Sequence, residues 1–301
     1  MRRRFILYKD QLPKLVKLTS NPGIDQNYTI ENGYRYFDLL VVGGGGAGGV
    51  NSGGGSGLII YVKDFIIKNL QSKQIVYNIA PSVVTDNHGK NTVIVFDGKQ
   101  IQANGGKRGT SEGFTSTIYY GDGADLNTEA QQILSKYVSD PSLKIAMCSN
   151  GEGAAGSNHD GEDAAGGSGA SMSSNGRDGS GIVGGRPVSN TDGTGGYNGG
   201  YCNSYRGGVG RRLNSIIIPI KSIFQGGGQS GDSYDGTVDD GSGSGGGAAA
   251  YGSGGNGGAS GHDNPTNGTN GGIGAGGGGG GGMSRKGGKG GQGIICLYYH
   301  N

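Results

Sequence analysis

Gly43, Gly45 and Gly48 stand in the spacing G-x-G-x-x-G directly after the hydrophobic run from Phe37 to Val42. That order of residues suits dinucleotide binding, where a strand turns into a helix whose N-terminus receives a pyrophosphate and an acidic residue further on holds the ribose. Two of its requirements fail here. The residues after Gly48, Gly49-Val50-Asn51-Ser52-Gly53-Gly54-Gly55-Ser56-Gly57, contain no helix. Asp64, the acidic candidate, falls inside the next expected strand and too early for a strand-helix-strand unit. With 72 glycines in 301 residues the spacing arises by chance. No G-x-x-x-x-G-K-[ST] phosphate loop occurs either.

The remaining ionisable residues do not form a catalytic pattern. His88, His159, His262 and His300 are scattered along the chain. Asp160, Glu162 and Asp163, and likewise Asp232, Asp235, Asp239 and Asp240, offer carboxylate oxygens to a hard cation, but neither group has the spacing of a calcium loop. They read as solvated loops. The expectation is therefore a chain that is not an enzyme, with no catalytic residues, no cofactor and no metal. Tyrosine is more suggestive. Tyr197, Tyr201, Tyr205, Tyr234 and Tyr251 sit inside glycine tracts, where a large amphipathic ring on a loop of small residues either makes a recognition surface or covers glycine backbone from water. These five are the candidate receptor contacts.

The elements that must position any such residues alternate with the glycines. Residues 1–42 hold 2 Gly, 43–57 hold 10, 58–104 hold 2, 105–126 hold 6 and 127–150 none; 151–211 hold 20, 212–225 none and 226–293 the other 32. The glycine-poor segments are dense in β-branched and aromatic residues, which marks them as strands. Strands are expected near Phe37 to Val42, Leu58 to Ile67, Ile75 to Ile79, Thr92 to Phe96, Ser116 to Tyr120, Lys144 to Cys148, Ser215 to Ile220 and Ile294 to Tyr299. One helix is expected. Ala130, Ile133, Leu134, Tyr137 and Val138 recur at helical spacing, Thr128 and Gln131 occupy capping-box positions, and Asp140-Pro141 closes the segment.

The glycine tracts themselves cannot be ordinary helix or strand, because each glycine there costs roughly 0.5–1 kcal/mol relative to alanine. That deficit is offset only where backbones pack more closely than side chains allow and bond to one another. Runs such as Gly43 to Gly46 and Gly276 to Gly282 break the strict triplet of collagen. Extended polyglycine-type helices beside the strands are the remaining ordered form, with flexible linker as the alternative.

The charge balance is +2, from 25 Lys plus Arg against 23 Asp plus Glu, and provides no strong field for a polyanion or a membrane surface. No nucleic-acid partner and no membrane insertion are expected; no stretch reaches the ~18 apolar residues of a membrane helix. Residues 1–15 are too short and too polar for a secretory signal. Cys148, Cys202 and Cys296 are odd in number and far apart, so a disulfide framework is not encoded and synthesis in a reducing cytoplasm is expected.

Three features meet in one resemblance: the strand ending VVGGGGAGG at Val41 to Gly49, long glycine tracts rich in Ser and Asn, and the closing GGKGGQGIICLYY from Gly287 to Tyr299. Together they resemble the glycine-rich domain of bacteriophage tail fibres and adhesins, also found in the extracellular part of anaplastic lymphoma kinase. Tyr28-Thr29-Ile30-Glu31-Asn32-Gly33 is similar to that family's lead-in. The stretches 58–104 and 127–138 depart from its pattern as enlarged or inserted parts, so no receptor loops carry over.

The resemblance implies a mainly β fold of interleaved strands, jelly-roll or sandwich-like, with packed polyglycine-II-type helices and the short α-helix near 127–138. It implies a structural component of a bacteriophage virion, a surface-exposed fibre or appendage located on the virion after assembly in the host cytoplasm. The alternative is a receptor-binding adhesin tip that recognises a host surface glycan or protein. Residues 1–36 are expected to dock on other virion proteins and 37–301 to form the glycine-rich body, in a homo-oligomer expected to be a trimer.

Overall fold

In a computed structural model, residues 11–49, 59–84, 87–106, 267–277 and 286–301 are described, with short pieces at 54–55, 57, 108–109, 136–138, 145–148 and 255. The chain is mainly β. Among the described residues the strands are β1 (Lys14–Leu18), β2 (Gln26–Thr29), β3 (Tyr36–Val42), β4 (Ile59–Ile66), β5 (Gln74–Asn78), β6 (Thr92–Phe96), β7 (Lys99–Ala103), β8 (Ile145–Cys148) and β9 (Ile294–His300). They form two antiparallel sheets, one ordered β1-β9-β3-β4-β8 and the other β2-β5-β6-β7.

The central strand of the larger sheet, β3, is buried on both faces, which explains its nearly continuous apolar sequence YFDLLVV. Phe37, Leu39 and Val41 alternate to one face, and with Ile60, Val62 and Phe65 of β4 and Ile295, Leu297 and Tyr299 of β9 they share a core with Ile75, Ile94, Phe96 and Ile101 of the smaller sheet. β3 packs directly against β6 and β7. At the centre of this core Phe65 stacks on Phe37 at 4.7 Å and lies 4.9 Å from Phe96. Leu40, Val42 and Cys296 alternate to the opposite face and are also buried.

β6 shows the period-two pattern of a half-buried strand, TVIVF, alternately buried and part-exposed. It turns into β7 through Asp97 and Gly98, both at positive φ (47° and 75°), the backbone that a two-residue hairpin of matched twist requires and that Asp-Gly supplies. Between β3 and β4 the register slips: Phe37 faces Phe65 and Leu39 faces Val62, so Lys63 and Asp64 together oppose Asp38. This is a β-bulge, with Asp64 at φ 53°.

The expected strands at 37–42, 58–67, 75–79, 92–96, 144–148 and 294–299 are present with ends shifted by a residue or so; Ile67 opens a short 3₁₀ turn, Ile67–Asn69, instead of continuing β4. Three strands were not expected from the sequence. β1, β2 and β7 read KLVKL, QNYT and KQIQA, too polar for the composition rule, and are held by pairing with β9, β5 and β6. β1 and β2 lie within the stretch 1–36 set apart as a docking segment, so from residue 14 onward that stretch contributes to both sheets. The expected strands at 116–120 and 215–220 lie outside the described residues. Of the helix expected near 127–138 only residues 136–138 are described, with Lys136 and Tyr137 helical.

Candidate functional site

Strands from both sheets run out at one end into glycine segments that interlock. β3 continues into 43–48, β9 is entered from 286–293 and β6 from 87–90, residues 54, 55 and 57 lie before β4, and 104–106 and 108–109 follow β7. The amides of the segment after β3 are dealt out in rotation. Gly44 and Ala47 donate to the carbonyls of Lys90 and Asn87; Gly45 and Gly48 donate to Gly291 and Gly288; Gly46 donates to Gly55. Three successive N–H groups thus point to three different neighbours, and the fourth returns to the first.

The same interval of three recurs elsewhere. Gly268, Gly271 and Gly274 donate to Lys286, Lys289 and Gln292, while Gly106 and Gly109 donate to Gly44 and Ala47. Gly54 and Gly57 donate to Gly277 and Gly274, and Gly277 in turn donates to Gly46. These bonds satisfy the backbone groups of a buried region that has almost no side chains to do so. They also explain why the residues are glycine. A Cβ on Gly45 would meet the Ala275 carbonyl, one on Gly276 the Gly54 carbonyl and one on Gly290 the Gly45 carbonyl, each under 3.0 Å.

The G-x-G-x-x-G spacing finds its explanation here. Gly44 to Gly48 are not helical, and all five amides of that run donate to backbone carbonyls of this chain instead of facing a phosphate. A nest for an anion needs those N–H groups free.

No protein-family model matches the chain, and no curated protein matches it.

At the opposite end of the larger sheet, Asp38, Asp64 and His300 converge from β3, the bulge of β4 and the end of β9. Oδ1 of Asp38 accepts the amide of Asp64 at 2.8 Å and lies 3.1 Å from Nε2 of His300. The same ring nitrogen is 3.5 Å from Oδ1 of Asp64. The Asp38 side chain is only 4 % exposed, against 20 % for His300 and 27 % for Asp64. The imidazole is flanked by Tyr36 at 5.6 Å and Tyr298 at 5.8 Å, both near parallel to it.

Two other polar clusters brace the core. The Asp97 carboxylate accepts the amides of Gln71 and Ser72 at 3.0 and 2.9 Å and the hydroxyl of Tyr137, with Lys136 at 3.5 Å. Burial pushes the Asp97 carboxyl up, but the Tyr137 hydroxyl, the two amides and the Lys136 charge outweigh it and hold it below the usual carboxylate range. The hydroxyl of Tyr299 donates to Tyr28 at 3.2 Å and accepts the Glu31 amide at 3.4 Å, and Glu31 pairs with Lys14 at 2.7 Å. Burial, and then the hydrogen bond with Tyr28, raise the Tyr299 phenol well above its ordinary range.

A cleft of about 530 Å³ crosses the outer face of the smaller sheet, lined by Val76, Val93, Val95, Asn78, Lys90 and Gln100 among others. Of the residues named from the sequence as receptor contacts, Tyr197, Tyr201, Tyr205, Tyr234 and Tyr251 lie outside the described residues, as do the acidic groups 160–163 and 232–240. Asp38, Asp64 and His300 were not anticipated as a group. The available signal was Asp38 itself, a charge in the middle of an apolar strand.

Proposed function

We propose that this chain is a structural component of a bacteriophage virion, a surface-exposed fibre or appendage whose glycine segments run as packed polyglycine-II helices joined to a jelly-roll-like pair of sheets. The observation that carries this reading is the interval of three in the glycine hydrogen bonds. A helix with three residues per turn presents successive amides about 120° apart, so one segment bonds to three neighbours in rotation, as 43–48 does with 87–90, 288–291 and 54–55. Such packing leaves little mobile surface and builds rigidity from main chain alone, the property required of a projecting particle component.

The sheet order supports assembly between copies. Among the described residues β1 and β8 are the outer strands of one sheet and β2 and β7 of the other, and an outer strand invites pairing with a second chain. The chain is then a homo-oligomer, with the trimer as the simplest form, and docks on other virion proteins through residues 1–36. β1 and β2 of that stretch pair within the sheets, so the docking segment is continuous with the β body.

Immunogold labelling of phage particles released from the producing culture tests the reading. Label at a fixed position on intact particles, with the chain co-sedimenting with them, is the expected result. Recovery only in the soluble lysate, with unlabelled particles, overturns it. Excess purified protein that blocks adsorption would assign the chain to the receptor-binding tip instead of the shaft or scaffold.

A further inference from the structure

Asp38, Asp64 and His300 offer one donor atom each, and all three lie within 4.8 Å of one another. Donors bound to one zinc-type ion lie about 2.0–2.2 Å from it, so at tetrahedral or octahedral angles two of them are about 2.9–3.6 Å apart. The His300 nitrogen is 3.1 Å from one carboxylate oxygen and 3.5 Å from the other. Both separations to the imidazole fall in that range, and the two carboxylate oxygens lie within 4.8 Å of each other.

The surroundings fix each donor. The bulge presents Lys63 and Asp64 opposite Asp38, Asp64 adopts a left-handed backbone, and its carboxylate lies 3.5 Å from the His300 ring nitrogen. The Asp64 amide holds the Asp38 carboxylate, and Tyr36 and Tyr298 flank the imidazole. Fixed ring planes and hydrogen-bonded carboxylates are what orient ligands around a metal.

We propose that Asp38, Asp64 and His300 bind one divalent first-row transition cation of the zinc type, tying β4, β3 and β9 together at the end of the sheet remote from the glycine segments. The imidazole ligand selects such an ion over calcium and magnesium, which take all-oxygen donor sets. Three protein donors leave at least one position for water. The inference rests on the sheet geometry alone and stands apart from the virion reading.

The test uses the full-length chain freed of metal by chelator. Zinc chloride should bind at one equivalent to this site and raise the melting temperature, and magnesium or calcium chloride should not. Zinc should also move the ring nitrogen resonance of His300 in histidine-labelled protein to the position of a coordinated imidazole. Asp64→Asn keeps the amide bond to Asp38 and suits the left-handed backbone, so it should melt as the parent does in chelator yet lose the zinc-induced rise. Tyr36→Leu should weaken zinc about tenfold through loss of ring orientation. An unmoved His300 resonance under saturating zinc overturns the proposal, whatever the variants do. So does a zinc-induced rise that survives Asp64→Asn undiminished.

Discussion

The amide of Gly45 donates to the carbonyl of Gly291 at 2.8 Å, while the carbonyl of Gly45 fills the space that a Cβ on Gly290 would occupy. The same pair of segments prolongs the β3–β9 ladder, whose last rung is Val42 opposite Ile294. Sheet register therefore dictates which glycines meet. A methyl group at the contact must push two main chains apart, because backbone carbonyls have no rotamer to yield.

Gly45→Ala and Gly290→Ala should each lower stability by about 1–3 kcal/mol or more, the cost of overpacking a site that cannot relax. Gly98→Asn is the control: Gly98 has open space around its Cα, and asparagine accepts its φ of 75°, so the change should stay within about 0.5 kcal/mol. Urea unfolding midpoints measure both. Equal, small effects at all three positions would contradict close backbone packing.

Asp97 links the β6–β7 turn to the loop at Gln71–Ser72 and to Tyr137. Its pKa is depressed in the folded chain, so its contribution is present above the unfolded carboxylate pKa, about 3.9, and is lost as pH falls through the lower folded value. Acid unfolding followed by circular dichroism should shift in Asp97→Asn, with the mutant's penalty largest near neutrality and shrinking as pH drops below about 4. A pH-independent penalty would point to packing in place of charge.

Tyr299 carries the opposite sign. Its phenol is raised by burial and by Tyr28, so the folded state favours the neutral form. That stability is intact below the unfolded pKa of about 10 and is lost as pH rises beyond it. Tyr299→Phe should cost about 1 kcal/mol at neutral pH, for the hydrogen bonds to Tyr28 and Glu31, and should flatten the alkaline decline in melting temperature. Parallel declines in mutant and parent would contradict the assignment.

Much of the fold was legible where one physical signal dominates. β3, β4, β6 and β9 are dense in β-branched and aromatic residues because they are buried on one or both faces. β1, β2 and β7 were not, because alternate residues such as Lys17, Asn27 and Gln100 face water and the strands exist through their partners. Asp97-Gly98 was readable in principle as a hairpin turn and was missed between two short strands. The need for close backbone contact followed from the cost of so many glycines, but the identity of each contact did not, since every glycine is alike until the sheets set the register. Asp38 and His300 are 262 residues apart, and only the β3–β9 ladder makes them neighbours.

Amide hydrogen exchange across the glycine segments tests the central claim most directly. Gly44 to Gly48, Gly271, Gly274 and Gly291 should exchange as slowly as the ladder amides of β3 and β9, because their N–H groups are held by neighbouring carbonyls. Exchange at the rate of an unstructured peptide at these positions, while β3 and β9 stay protected, would show strands linked by mobile coil and would contradict the interlocked arrangement.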